Sequence, residues 1–317
     1  MYVKQRWPRQ LIAGFAVMAI LVTACNSGTT NKGTVNIAVN PWVGYEANAA
    51  VVAYILEKKL GYTVVKKNLA EQVSWDGFTS GEVDMILENW GHADLAKIHI
   101  TDNKDAIDAG STGVNGIIGW YVPPWMAAKY PDIVDGTKLN KYADMFKTSE
   151  SGTKGQLLDG DPGFVTYDAA IVRNLGLNFE VVYAGSEAAL IEQFRTAEAQ
   201  KKPLLGYFYS PQWFLNEVPL VHINLPPYAP GCDPDPTNLA LVTCTDYPAY
   251  DDLNKILRKK FADEHADAAT FVKNFKWTAA DQNTVADYIT NKSMTPEAAA
   301  GKWVTDNEAI WKPWLPK

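Results

Sequence analysis

The chain has 317 residues, 47% hydrophobic and 21% charged, a composition of globular rather than disordered, collagenous or coiled-coil proteins. At about 150 residues per domain this length allows two separate cores. The net charge is −7 with no basic tract, which argues against nucleic acid as a main partner. Three cysteines and four histidines, without CxxC or HExxH spacing, give no zinc signature, and no GxGxxG or Walker sequence points to a cofactor.

The amino terminus reads as an export signal. Lys4, Arg6 and Arg9 precede the apolar run 11–22 (LIAGFAVMAILV), which is short for a bilayer span and suits a signal-peptide core. The following Leu21-Val22-Thr23-Ala24-Cys25 resembles a bacterial lipobox, which implies removal of residues 1–24 and lipidation of Cys25. Residues 25–33 then form a polar tether, and the protein is expected at the outer face of the cell membrane, or on the periplasmic side in a two-membrane host. Removing 1–24 leaves 26 basic against 36 acidic residues, a balance of −10. Outside the cytoplasm, Cys232 and Cys244 are expected to pair across a Pro/Gly/Asp-rich loop.

Downstream, 35–39 (VNIAV) reads as a buried strand and 47–59 (ANAAVVAYILEKK) as a helix stopped by Gly61. Strands follow at 63–66 and 83–87, so the order is strand, helix, strand around a mostly parallel sheet. After a polar break at 108–116 the pattern restarts, with strands at 117–122, 179–183 and 204–209 and helices at 165–175 and 187–199. The tail reads as helices 251–263, 266–274, 279–291 and 296–307. These elements predict a two-lobed α/β fold with a cleft between the lobes. The expected division is 34–115 in the first lobe, 116–220 in the second, and 221–317 returning to the first with a helical end.

Ligands of such sheets sit beyond the carboxyl ends of the strands. Five strand-end segments, 40–45, 88–94, 120–125, 161–167 and 207–213, all carry aromatic residues, among them Trp42, Trp90, Trp120, Trp125 and Trp213. Aromatic walls with few charges suit a cation that cannot donate hydrogen bonds, such as a quaternary ammonium held by ring faces. Trp277, Trp303, Trp311 and Trp314 fall in the helical tail and read as core packing.

With the lipobox and the two-lobe pattern, Asn89-Trp90, Asp161-Pro162-Gly163-Phe164 and Tyr207-Phe208-Tyr209-Ser210-Pro211-Gln212-Trp213 resemble the substrate-binding proteins of glycine betaine/choline ABC importers. The resemblance runs through most of residues 34–315. It implies a periplasmic-binding-protein fold that closes on a trimethylammonium ligand and docks on a membrane permease served by a separate ATPase. It maps cage aromatics onto Trp42, Trp90, Phe164 and Tyr209, the last two standing where tryptophan is commoner in the family. It maps the amides that hold a betaine carboxylate onto Val165 and Thr166, which fits the start of the expected helix. Trp120 and Trp213 are placed at the site by neighbourhood alone.

His92 offers a donor to a ligand carboxylate, or it is a loop histidine facing solvent. Tyr45 and Glu46 open the first helix, where Glu46 either counters a ligand cation or favours the helix terminus. Asp94 reads as a solvated or capping residue and Trp125 as local packing. The only arginines beyond residue 24 are Arg173, Arg195 and Arg258, all inside expected helices, which weakens an amino-acid reading that needs a bidentate clamp. Ser151-Gly152-Thr153-Lys154 matches SxxK without the companion SDN and KTG motifs. No enzyme activity is expected, and the rival readings are a polyamine or sugar receptor and an exported hydrolase.

Overall fold

A computed structural model describes residues 31–235 and 238–317. The signal segment and Cys25 lie outside the described residues. Within the described part no helix is long and apolar enough to cross a membrane.

Eleven strands occur in chain order among the described residues: β1 (Thr34–Val39), β2 (Thr63–Asn68), β3 (Met85–Asn89), β4 (Ala106–Ser111), β5 (Gly116–Val122), β6 (Gly155–Asp159), β7 (Phe179–Tyr183), β8 (Gly206–Ser210), β9 (Val221–His222), β10 (Ala249–Tyr250) and β11 (Asn254–Arg258). They form two sheets, and so two lobes. The first has the order β2-β1-β3-β11-β4, the second β10-β5-β8-β6-β7 with β9 also on β5.

The β1–β2 pair is parallel along its whole length, Thr34 opposite Thr63 to Val39 opposite Asn68. The helix that joins them, α1 (Val43–Ile55), is buried nearly all round, as its run of small and β-branched residues allows, and packs on the C-terminal helices Ala279–Thr290 and Pro296–Asp306. It continues as one π-helical turn to Leu60 and ends at Gly61, whose φ of 82° needs glycine. The tail tryptophans pack as expected: Trp277 meets Trp303 edge-on at 5.3 Å, and Trp303 stacks on Trp314 at 5.9 Å.

Three expectations are corrected. The sheets are mixed rather than mostly parallel: β11 runs antiparallel to both β3 and β4, and β5 antiparallel to β8, β9 and β10. Residues 251–263 are not one helix, because β11 fills the gap between β3 and β4 before a short helix at Lys259–Glu264. The return to the first lobe comes later than residue 221, since β9 and β10 both pair with β5 of the second sheet. The cysteine loop stays with that second lobe. There Arg173 donates to the carbonyls of Leu239 and Val242, and Cys232 is bonded to Cys244 with Cα atoms 4.9 Å apart.

The chain therefore passes between sheets twice, through residues 112–115 and 251–253. These passages are tied to each other: the Thr112 N–H donates to Leu253 O (2.8 Å), and the Leu253 N–H donates to Val114 O (2.9 Å). The Trp277 N–H braces the first of them through Thr112 O at 2.9 Å.

Candidate functional site

Aromatic residues of the two lobes meet beyond the carboxyl ends of β1 and β3 in the first sheet and of β6 and β8 in the second. From the first lobe, β1 ends at Val39, and Asn40 anchors the turn by donating to Leu69 O and Ser74 Oγ, each at 2.8 Å. Trp42 follows as the N-cap of α1 in an extended conformation. Trp90 comes directly after β3. From the second lobe, the Asp161 carboxylate and carbonyl accept from the Gly163 and Phe164 N–H groups, making a tight turn that presents the Phe164 ring. Tyr207 and Tyr209 alternate on β8 and so share a face, while Phe208 points away into the core against Phe194 and Phe214.

The rings meet across the gap. Trp42 and Phe164 lie edge-on at 5.8 Å, and Trp90 packs edge-on against Tyr209 at 5.7 Å and Tyr250 at 5.4 Å. Phe164 lies 6.0 Å from Tyr207 and 6.5 Å from Tyr209. The cavity left among these side chains is only about 30 Å3, far below the volume of an occupied ligand pocket, so the rings close on one another here. Gly116, opposite Tyr250 at the start of β5, makes room for the indole: a Cβ there would stand 2.4 Å from Trp90 Cζ3.

Carboxylates surround the rings. Glu71 lines the space from the first turn of α2 (Glu71–Ser80). Its Oε2 lies 2.6 Å from His92 Nε2, and its Oε1 accepts the Val165 N–H from the opposite lobe at 3.1 Å. His92 reaches it because Gly91 and His92 both take left-handed backbone, φ 101° and 52°. Burial works against the charged imidazole, yet the charge and hydrogen bond of Glu71, with Asp94 nearby, leave its pKa raised.

Glu187, at the start of the helix Glu187–Gln200, is the second crossing point. It accepts the Tyr209 hydroxyl, Gln212 Nε2 at 3.0 Å, and, across the gap, the Val43 N–H that opens α1 at 2.8 Å. Burial raises the pKa of this carboxyl. Glu88, on β3 two residues before Trp90, accepts both the Trp42 and Trp90 indole N–H groups at 2.9 Å. Burial pushes it up to about 7 against the hydrogen bonds from Trp42, Trp90 and Gln282 that favour the anion.

Of the residues expected at the site, Trp42, Trp90, His92, Phe164, Val165 and Tyr209 line this space together. The others do not. Tyr45 stands behind Trp42, edge-on at 5.3 Å, its hydroxyl accepting the Leu87 N–H. Trp120 is fully buried in the second lobe with its indole N–H on Asp168. Trp213 is buried beside Phe214, in a turn packed on the helix Ala279–Thr290. Thr166 turns its hydroxyl to Asp159 at 2.6 Å. The helix expected from Val165 begins only at Asp168 (Asp168–Asn174), so neither amide sits at its terminus, and the Val165 N–H faces Glu71 instead. Glu46 lines the neighbouring groove outside the cage, and Trp125 packs locally on Tyr130.

Four lining residues were not anticipated: Glu71, Ile118, Tyr207 and Tyr250. Tyr207 carried a usable signal, its spacing of two from Tyr209 in a strand. Arginine is absent from the lining: Arg173 holds loop carbonyls, Arg195 pairs with Glu192 and Glu217, and Arg258 pairs with Asp84.

A model for the substrate-binding domain of ABC-type glycine betaine transport systems matches residues 33–306. A trimethylamine N-oxide-binding protein of Pelagibacter ubique (strain HTCC1062) is 26% identical over 312 residues, 96% of this chain and 97% of that protein. Lactococcal OpuAC, closed on glycine betaine, superposes with a TM-score of 0.67 at 21% identity, covering 90% of this chain and all of that one. An ABC-transporter choline-binding protein with choline gives a TM-score of 0.70 at 21% identity, covering 89% of this chain and 91% of that one. All are solute-binding proteins rather than enzymes. The chain belongs to the family of substrate-binding domains of ABC-type glycine betaine transport systems.

Proposed function

We propose that this chain is the receptor of a quaternary ammonium importer, and that its cage prefers a solute ending in a hydroxyl or N-oxide to one ending in a carboxylate. The rings of Trp42, Trp90, Phe164 and Tyr209, drawn from both lobes, suit a methylated cation, each face worth about 0.5–2 kcal/mol. One observation carries the preference. Glu71 already takes the Val165 N–H, the amide expected to hold a ligand carboxylate, and it pairs with His92. A betaine carboxylate would meet a like charge there and lose its donor. The choline hydroxyl can donate to Glu71, and an N-oxide oxygen can accept from the imidazole or a tyrosine hydroxyl. The trimethylamine N-oxide-binding relative supports this direction.

The test is a tryptophan-fluorescence titration with choline, trimethylamine N-oxide, glycine betaine, spermidine and maltose. Choline or the N-oxide binds tightest on this reading, and Glu71→Gln brings betaine closer to them. Betaine as the tightest ligand of the parent refutes the Glu71 preference; tight binding of spermidine or maltose alone refutes the onium reading. In the same reading Cys25 carries the lipid that holds the receptor beside its permease, which acyl labelling of the parent and its loss in Cys25→Ser would test.

A further inference from the structure

Both tryptophans of the first wall depend on one oxygen. Trp42, from the N-cap of α1, and Trp90, from the end of β3, each donate an indole N–H to Glu88 Oε1 at 2.9 Å. Glu88 Oε2 accepts from Asn48 Nδ2 at 2.5 Å and Gln282 Nε2 at 2.9 Å. The residue is 2% exposed. An indole nitrogen is a donor only, and Asn48 Nδ2 is fixed as a donor because it also gives a hydrogen bond to Gly44 O. Three groups on these two oxygens are fixed as N–H donors and Gln282 Nε2 is placed as the fourth, an arrangement that suits a carboxylate anion. Space is kept for this arrangement: a Cβ at Gly44 would come within 2.6 Å of Gln282 Nε2.

We infer that Glu88 is the positioning residue of the onium cage: a buried anion that fixes both indoles and supplies the negative charge behind their faces. The inference rests on the onium reading above and adds to it the origin of the charge. A carboxylate bound to an indole N–H pushes electron density toward the ring, strengthening the attraction of its face for a cation. Both Glu88 oxygens are covered by these donors, so its charge reaches the ligand without offering an acceptor. That favours a methylated ammonium over a primary one, which would lose hydrogen bonds on entry.

The experiment uses the purified chain at pH 8, above the value of about 7 to which burial pushes Glu88, and isothermal titration with choline and with its uncharged carbon isostere, 3,3-dimethylbutan-1-ol. Glu88→Gln keeps the side-chain shape and removes the charge. Its expected effect is choline binding about tenfold weaker, ~1.4 kcal/mol, with the alcohol changed much less. Equal losses for both ligands, or none, would overturn the proposal, because a purely structural role cannot tell cation from isostere. Should Glu88→Gln fail to fold, Glu88→Asp decides. That variant keeps the charge but cannot span both indoles, so both ligands weaken while the preference for the cation survives; a lost preference overturns the proposal. A parent that binds no onium at all overturns the onium reading itself, a result distinct from either variant outcome.

Discussion

Gly116→Ala tests the placement of Trp90 without touching an aromatic residue. The new Cβ would stand 2.4 Å from Trp90 Cζ3, 2.9 Å from Cη2 and 3.0 Å from Leu253 Cδ2. Ordinary contact begins near 3.4 Å, so the indole must retreat by about 1 Å. It has little freedom to do so, with Tyr250 and Tyr209 packed against it and its N–H held by Glu88. Overpacking of this kind costs about 1–3 kcal/mol, and each kcal/mol lowers Tm by about 2–4 °C in a protein of this size. Loss of one cation–π wall adds about 0.5–2 kcal/mol in affinity, roughly 2- to 30-fold in Kd. The control is Gly155→Ala at the start of β6, where a Cβ would stand 2.8 Å from Ala143 O and from Phe179 Cε1 on the edge strand β7. Both variants should melt earlier in calorimetry, and only Gly116→Ala should weaken onium binding in fluorescence titration. If Gly116→Ala binds as tightly as the parent, Trp90 is not a wall of the site.

Trp90→Ala and Tyr209→Ala should each weaken binding by about 1–3 kcal/mol in titration calorimetry through lost burial and cation–π contact, and unchanged affinity in both would remove the cage assignment. Glu187→Ala takes away the one acceptor shared by the Val43 N–H, the Tyr209 hydroxyl and Gln212. Binding about tenfold weaker is expected, with a larger radius in small-angle scattering at matched ligand concentration; an unaltered Kd would show that this bond does not hold the lobes together. The His92 pKa is raised in the folded chain, where Glu71 overcomes burial, so the contribution of the pair is complete below the free histidine value of about 6.5. It is lost as pH rises through the higher folded value. Thermal melts from about pH 5 to 8 should show the parent losing more stability with rising pH than His92→Gln, and parallel curves would refute the pairing.

Periodicity made most of the scaffold readable. The strand at β1, the helices α1 and Glu187–Gln200, and the three long C-terminal helices follow the spacing of their apolar residues. The same rule misread residues 251–263, because Leu253, Ile256, Leu257 and Phe261 also fit one helical face. Pairing on both sides by β3 and β4 overrides that local preference, a decision made by distant chain segments. The cage was half legible for a related reason. Trp42, Trp90, Phe164 and Tyr209 stand beside recognisable strand ends. Glu71 belongs to a short helix with few apolar residues (EQVSWDGFTS), and Tyr250 belongs to a two-residue strand that exists only through its pairing with β5. Trp120 and Trp213 were misplaced because nearness in sequence to a strand end does not say which face a side chain takes.

The two passages between the sheets, zipped together at Thr112, Val114 and Leu253, join the lobes along one line. A strap of two tapes fastened side by side bends about the line across it and resists both twist and slip. Any parting of the lobes would then follow a single arc, every ring on one rim leaving its counterpart in the same stroke. A solute held between the rims would then be let go in one step rather than by stepwise peeling.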